Sequence, residues 1–260
     1  MNLEELEKEI QEICEKEKLY CLANFGNVKF DDENALGFLS LIRKTRESTN
    51  DDGNFDLLTH DLINSVSSDI RFAIANAFLY FPHTNNFLNE FRKYPDGQNI
   101  PTYFMTIEDK RFFFYVNTAF EKLYILWDRI GDILFLAFQL NIPEDRVYFN
   151  STIRELGTSL ESSESGNWLR NFHDNEYSQI LNRLRIKIVH YRQKDTYFFT
   201  EWLKHFSQAN TDPDHIAQLQ REKEELLPLL KHQLGLANEG FEKMVRFIAE
   251  KGLFEKDNQQ

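Results

Sequence analysis

Cysteine is nearly absent from this sequence. The two that occur, Cys14 and Cys21, stand seven positions apart in 260 residues. Two thiols make no disulfide framework in a chain of this length, and no CxxC pair is present to hold a metal or run thiol redox chemistry. Glycine and proline are also scarce, at 10 and 6. That scarcity argues against a sheet protein with many tight turns and for long helices. Uninterrupted apolar runs are missing too. The most apolar stretch, Tyr124 to Leu140, is broken by Asp128, Arg129 and Asp132, so it does not read as a membrane span. Met1 to Ile13 is rich in Glu and has no apolar signal core, which leads us to expect a cytoplasmic protein with no membrane partner. Positive charge is in deficit. A formal charge of −12 disfavours broad binding to nucleic acid or anionic lipid, while leaving room for a local basic site.

Apolar residues are plentiful at 42%, and 24 of them are Phe, so aromatic packing should dominate the core. Three- and four-residue apolar steps carry the secondary structure. Leu3, Leu6, Ile10 and Ile13 predict a helix from Leu3 to Tyr20, packed on the body or making a short coiled-coil contact. Asp31-Asp32-Glu33 can open a helix to Arg46, followed by a loop from Glu47 to Asn54. A third helix is expected from Asp56 to Tyr80 and a connecting loop from Pro82 to Pro101, with a short strand pair between 22–30 and 101–107. Phe112, Val116, Phe120, Leu123, Trp127, Ile130, Leu134 and Phe138 predict one long helix from Asp109 to Leu140. Tyr124, Ile125, Ile133 and Phe135 broaden its apolar side, and Pro143 stops it.

Further helices are expected from Pro143 to Leu160, from about His173–Asn175 to Gln193 after a polar loop at Ser162–Gly166, and from Thr196 to Phe206. Asp212-Pro213 opens a final hairpin, with a kink or break at Pro228, Gly235 or Gly240. The fold class is therefore all-α, an up-and-down helical bundle at 105–255 with a helical N-terminal extension at 1–104 packed on it.

One segment stands apart chemically. Leu181 to Lys194 holds Arg183, Arg185, Lys187, Arg192 and Lys194 and no acid. On a helical wheel Ile180, Leu184, Ile188 and Tyr191 form a core stripe. Arg183, Lys187, His190 and Lys194 form a second stripe, while Arg185 and Arg192 share the other border of the core stripe. A histidine among cations suits a phosphate site with an acid–base group in it. The bland alternative is a solvated or ion-paired face. Asp128 and Asp132, one turn apart, need partners if buried; Arg183, Arg185 or Arg192 would serve and would hold the segment in register.

The stretch Leu184-Arg185-Ile186-Lys187-Ile188-Val189-His190 resembles the signature of the HEPN superfamily, an Arg followed four to six residues later by a His. The helix with Tyr124-Ile125-Leu126-Trp127-Asp128-Arg129-Ile130-Gly131-Asp132 is similar to the central helix of bacterial HEPN domains. Together the likeness covers residues 105–210. It implies a helical bundle whose site forms where two motif helices meet in a homodimer, and a metal-independent endoribonuclease as found in toxin–antitoxin and defence systems.

By that resemblance His190, Arg185 and Arg183 are the catalytic residues. Arg185 is favoured by motif context and Arg183 by sharing the face of His190. Lys187, Arg192 and Lys194 would bind RNA phosphate; Asp128, Asp132 and Tyr191 would support them. No metal or other cofactor is expected, and RNA or nucleotide, with an antitoxin or other protein, are the expected partners. The competing class is a HEPN-like binding or interaction module without chemistry, which Ile186 and the acidity of the chain favour. The remaining histidines, His60, His83, His173, His205, His215 and His232, form no HxxxH or HExxH pair and are expected mostly at the surface. No Gly-rich phosphate loop is present.

Overall fold

The computed structural model describes residues 3–22, 29–30, 33–34, 57–58, 60–89, 91–93, 95, 99–101, 105–183, 193–207 and 213–251. The described residues are overwhelmingly helical. They fall into two compact units whose segments interleave along the chain. The first is built from Met1–Leu19, Arg71–Phe120 and Leu184–His232; the second from Tyr20–Ile70, Glu121–Arg183 and Gln233–Gln260.

In the first unit, helix α1 (Leu3–Lys16) has Glu4 and Glu5 in its first turn and Lys16 in its last, both favourable to the helix dipole. It buries Cys14, while Leu3 stays 70% exposed. Helix α2 (Ser67–Tyr80), which follows a π-helical turn at Asp61–Val66 of the second unit, gives this unit its residues from Arg71 on. Helix α3 (Ile107–Phe138) is the long helix expected from the apolar spacing. It opens on a reciprocal cap: the Asp109 amide donates to Thr106 Oγ1 at 3.2 Å, and the Thr106 amide to Asp109 Oδ2 at 3.0 Å. Such a box satisfies two otherwise orphaned donors. Seven of the eight spaced residues on α3 are fully buried, from Phe112 to Leu134. Ile125, expected to broaden that face, is 37% exposed.

Asp109 also holds the core of this unit. Lys223, on helix α7 (Pro213–Glu224), has its ammonium 3.2 Å from Asp109 Oδ1, and both side chains are wholly buried. The ammonium donates to the Asn85 carbonyl at 2.7 Å and lies 4.9 Å from the centre of the Phe87 ring. Helix α6 (Lys194–Ser207) adds Phe198, stacked on Phe87 and Phe113. Its Tyr197 hydroxyl donates to Glu222 Oε2 at 3.2 Å. Burial first, then Glu222 and Glu201, push the Tyr197 phenol up to about 12. An unfolded tyrosine ionises near pH ~10. The folded chain therefore keeps a proton that the unfolded chain gives up, and stability falls as pH rises across that interval. Tyr197→Phe is expected to flatten that alkaline fall in a series of urea melts; an unchanged slope would refute the assignment.

In the second unit, α3 continues through Trp127, against which Phe172 stacks at 3.9 Å, while the Phe149 ring lies 4.9 Å away, tilted by 52°. Helix α4 (Phe149–Leu156) crosses α3 at Gly131. A Cβ there would stand 2.7 Å from the Phe149 amide nitrogen and 2.8 Å from its Cα. Backbone cannot step aside as a side chain would, so Gly131→Ala should cost about 1–3 kcal/mol. A denaturant midpoint equal to wild type would show that the two helices do not meet there. On helix α8 (Leu226–Glu250), Gly240 likewise has the Trp127 indole where its Cβ would be. The α3 helix ends on Gln139 at φ 49°, a left-handed cap made without glycine.

Several expectations are corrected. Among the described residues, 22–30 and 101–107 do not pair with one another. Instead β1 (Lys29–Phe30) pairs antiparallel with β2 (Glu33–Asn34), and β3 (Phe91–Lys93) with β4 (Asn99–Pro101), in register Arg92↔Ile100. The first of these ribbons takes Glu33 and Asn34 out of the helix expected there; the rest of that helix and the loop to Asn54 lie outside the described residues. Pro143–Leu160 is not one helix but a 3₁₀ turn at Glu144–Arg146, then α4, then 3₁₀ residues Gly157–Ser162. Ser162–Gly166 is no loop. Ser163 caps helix α5 (Glu164–Phe172), its hydroxyl accepting from the Gly166 amide at 3.0 Å. The final hairpin breaks at Glu225, not at Pro228, Gly235 or Gly240. Pro228 has no N–H to give the Glu224 carbonyl, and α8 restarts just there.

Candidate functional site

The segment singled out in the sequence follows directly from α5. That helix passes into a π-helical run, His173–Leu181, and then into Asn182 and Arg183. Wide helical turns of this kind are concentrated at functional sites. The Arg183 side chain is exposed. Arg185, Lys187, His190, Tyr191 and Arg192 lie outside the described residues. On the far side of them Lys194 opens α6, half-buried, with its amide donating to Asn117 Oδ1 at 3.2 Å. Its ammonium lies 5.7 Å from the centre of the Tyr197 ring.

The two acids expected to support it are placed as follows. Asp128 Oδ1 accepts from the Phe149 amide at 3.2 Å. A carboxylate at the first residue of α4 suits the positive end of that helix. Asp132 is engaged by Arg129, one turn before it, at 2.9 Å; Arg129 also reaches Asp61 at 2.9 Å. Burial raises the Asp132 carboxyl pKa, and Arg129 partly offsets that. Arg129 is itself raised: burial works against its charge, and the hydrogen bonds to Asp132 and Asp61 outweigh it. Among the expected arginine partners, Arg185 and Arg192 lie outside the described residues.

Of the histidines expected mostly at the surface, His173 is an exception: it is 6% exposed. Its Nδ1 lies 2.8 Å from Asp174 Oδ1 and its Nε2 2.7 Å from Asn150 Oδ1. With both nitrogens engaged, the ring ties the π-helical run to α4. It borders a cleft of about 440 Å³ together with Arg154, Gly157, Arg170, Asp174 and Ser178. Arg170 is paired with Glu161. The burial was legible in principle, since Leu169, Phe172 and Tyr177, all buried, flank His173 at helical spacing. Among the described residues no group of three His, Cys, Asp or Glu side chains is placed to hold a metal ion, and no helix is long and apolar enough to cross a membrane.

Comparison with known proteins adds a family to this geometry. The family described as Cthe2314-like HEPN matches residues 85–249. That span takes in α3 to α8, the π-helical run and the whole basic segment. A curated relative, RxLR effector protein 54 of Phytophthora infestans, is 34% identical over 97 residues, covering 34% of this chain and 23% of the relative. The chain therefore spans less than a quarter of that relative's length. No solved structure matches.

Proposed function

This chain belongs to the Cthe2314-like HEPN family, and from that premise we propose that it is a metal-independent endoribonuclease acting as a homodimer. The observation that carries the reading is the Arg185…His190 spacing, which lies inside the matched span. In this reading residues 105–255 carry the chemistry. His190 takes the proton of a ribose 2′-hydroxyl, the freed oxygen bonds to the adjacent phosphorus, and the bond to the 5′-oxygen breaks. The leaving 5′-oxygen recovers a proton from imidazolium, and a cyclic phosphate remains on the upstream fragment. Arg185, with Arg183 as the alternative, stabilises charge on the phosphate in the five-coordinate state. Lys187, Arg192 and Lys194 hold flanking phosphates.

Purified protein is expected to cut RNA in the presence of EDTA, to spare DNA of the same sequence for want of a 2′-hydroxyl, and to leave a cyclic phosphate. Light scattering should report a dimer at micromolar concentration, with the two His190 copies facing across a two-fold axis. A monomer would sink the shared site. A second reading, a HEPN-like binding module without chemistry, is favoured by Ile186 within the motif and by the net charge of −12. A dimer that leaves its host's RNA intact would select it.

A further inference from the structure

Two phenylalanines of the first unit point out of it. Phe114 on α3 is 62% exposed and Phe72 on α2 is 52% exposed, although Phe112 and Phe113 beside Phe114 are fully buried. The two exposed rings belong to one row. Tyr115 meets Phe114 edge-on at 5.3 Å and Phe72 edge-on at 6.1 Å. Tyr115 also stacks on Tyr80 at 5.9 Å, the planes 5° apart. At the end of the row the Arg111 guanidinium lies 5.3 Å from the centre of the Tyr80 ring.

Charge distinguishes this face from the rest of an acidic chain. Lys110 and Arg111, both exposed, precede Phe114 and Tyr115 by one helical turn and so share their side of α3. Of the acids in the first turn of α3, Asp109 is buried against Lys223, which leaves Glu108. Rings held edge-on and in parallel, bordered by cations, match what an unpaired nucleic-acid strand offers: base faces to stack and phosphates to neutralise.

We propose that this face is a stacking platform for unpaired nucleotides of an RNA strand, with bases on Phe114 and Phe72 and phosphates on Arg111 and Lys110. The platform deepens the ribonuclease reading and rests on it: it makes the substrate single-stranded. A duplex keeps its base faces stacked on one another and gains only the cations.

The test is fluorescence anisotropy with a short 2′-O-methyl oligoadenylate, which has no free 2′-hydroxyl to react. Phe114→Ser and Phe72→Ser change exposed side chains, so both should fold. Each is expected to weaken binding by roughly fivefold or more, the loss typical of one stacked base. Phe114→Trp keeps a ring and should bind as wild type. Arg111→Lys keeps the charge but loses the planar cap and should bind more weakly. Annealing the probe to its complement should cost most of the affinity. Serine variants that bind as wild type would overturn the platform. So would a Phe114→Ser variant that falls apart into lighter species in light scattering with its affinity intact, since the patch would then be a protein interface. Cleavage does not enter the measurement. Wild-type protein that binds the probe through these rings yet leaves natural RNA uncut would retire the ribonuclease reading and keep the platform.

Discussion

His190→Ala is expected to lower RNA cleavage by about 100- to 10,000-fold, the usual worth of a positioned acid–base group. Arg185→Ala should cost about 100- to 1,000-fold if its guanidinium faces charge that develops only in the transition state. Both losses should appear in single-turnover rate with the melting temperature nearly unchanged. Arg183→Ala is the control that ranks the two arginines, because Arg183 is exposed and on a straight helix would share a face with His190. Lys194→Ala should behave differently. Its amide bond to Asn117 survives the substitution, so the change is confined to the ammonium. It should weaken RNA binding and lower the salt slope by about one. The opposite pattern is equally readable. If His190→Ala chiefly lowers the melting temperature and leaves RNA handling alone, then His190 is a structural histidine and the chemistry assigned to it is wrong.

Breaking the Lys223–Asp109 pair should be the most destabilising polar change in the first unit. Both side chains are fully buried. Lys223→Met removes the cation while Asp109 keeps three donors, the Asn85 and Thr106 amides and the Thr106 hydroxyl. A carboxylate left buried without its counter-charge typically costs about 3–5 kcal/mol. Asp109→Asn should cost a similar amount, because it strands the ammonium among Phe87, Phe112 and Phe113. The double variant Lys223→Met/Asp109→Asn leaves neither charge uncompensated and should recover much of the loss. Urea titrations of the four proteins decide the matter. Additive single effects would show that the two groups do not sense one another.

The helices that were legible in the sequence are those whose burial follows a simple period. The spacing from Phe112 to Leu134 gave α3 to within two residues at each end. Pro213 marked the start of α7 because proline there loses a hydrogen bond that no first-turn residue makes. What misled was polar composition. Ser162-Ser163-Glu164-Ser165-Gly166 looks like a loop, yet Ser163 is a helix cap, Glu164 sits at the positive end of the dipole and Ser165 and Gly166 are buried. The ribbon of Phe91–Lys93 and Asn99–Pro101 has a sequence signal between its strands: Pro95-Asp96-Gly97 is a turn sequence in its own right. The burial of His173 is hard to read because a lone histidine with no partner at ligand spacing looks like a surface residue. Its partners, Asn150 and Asp174, are respectively distant and adjacent in sequence, and neither spacing is diagnostic. For the motif, the sequence supplied the residue types and the family match supplied the context.

The interleaving of the two units bears on how the chain is made. A newborn polypeptide ordinarily finishes one domain before the next emerges from the ribosome. Here neither unit is contiguous. The first needs Leu184–His232 to join Met1–Leu19, and the second needs Gln233–Gln260 to join Tyr20–Ile70. Neither core can close until residues past 184, and for the second unit past 233, have been synthesised. Contacts so far apart in sequence also slow the search for them. During that interval Phe87 and Phe113 wait for Phe198, and Asp109 waits for Lys223. Until residue 184 has been made both cores are incomplete, so a chain stopped short of it has no finished unit to keep.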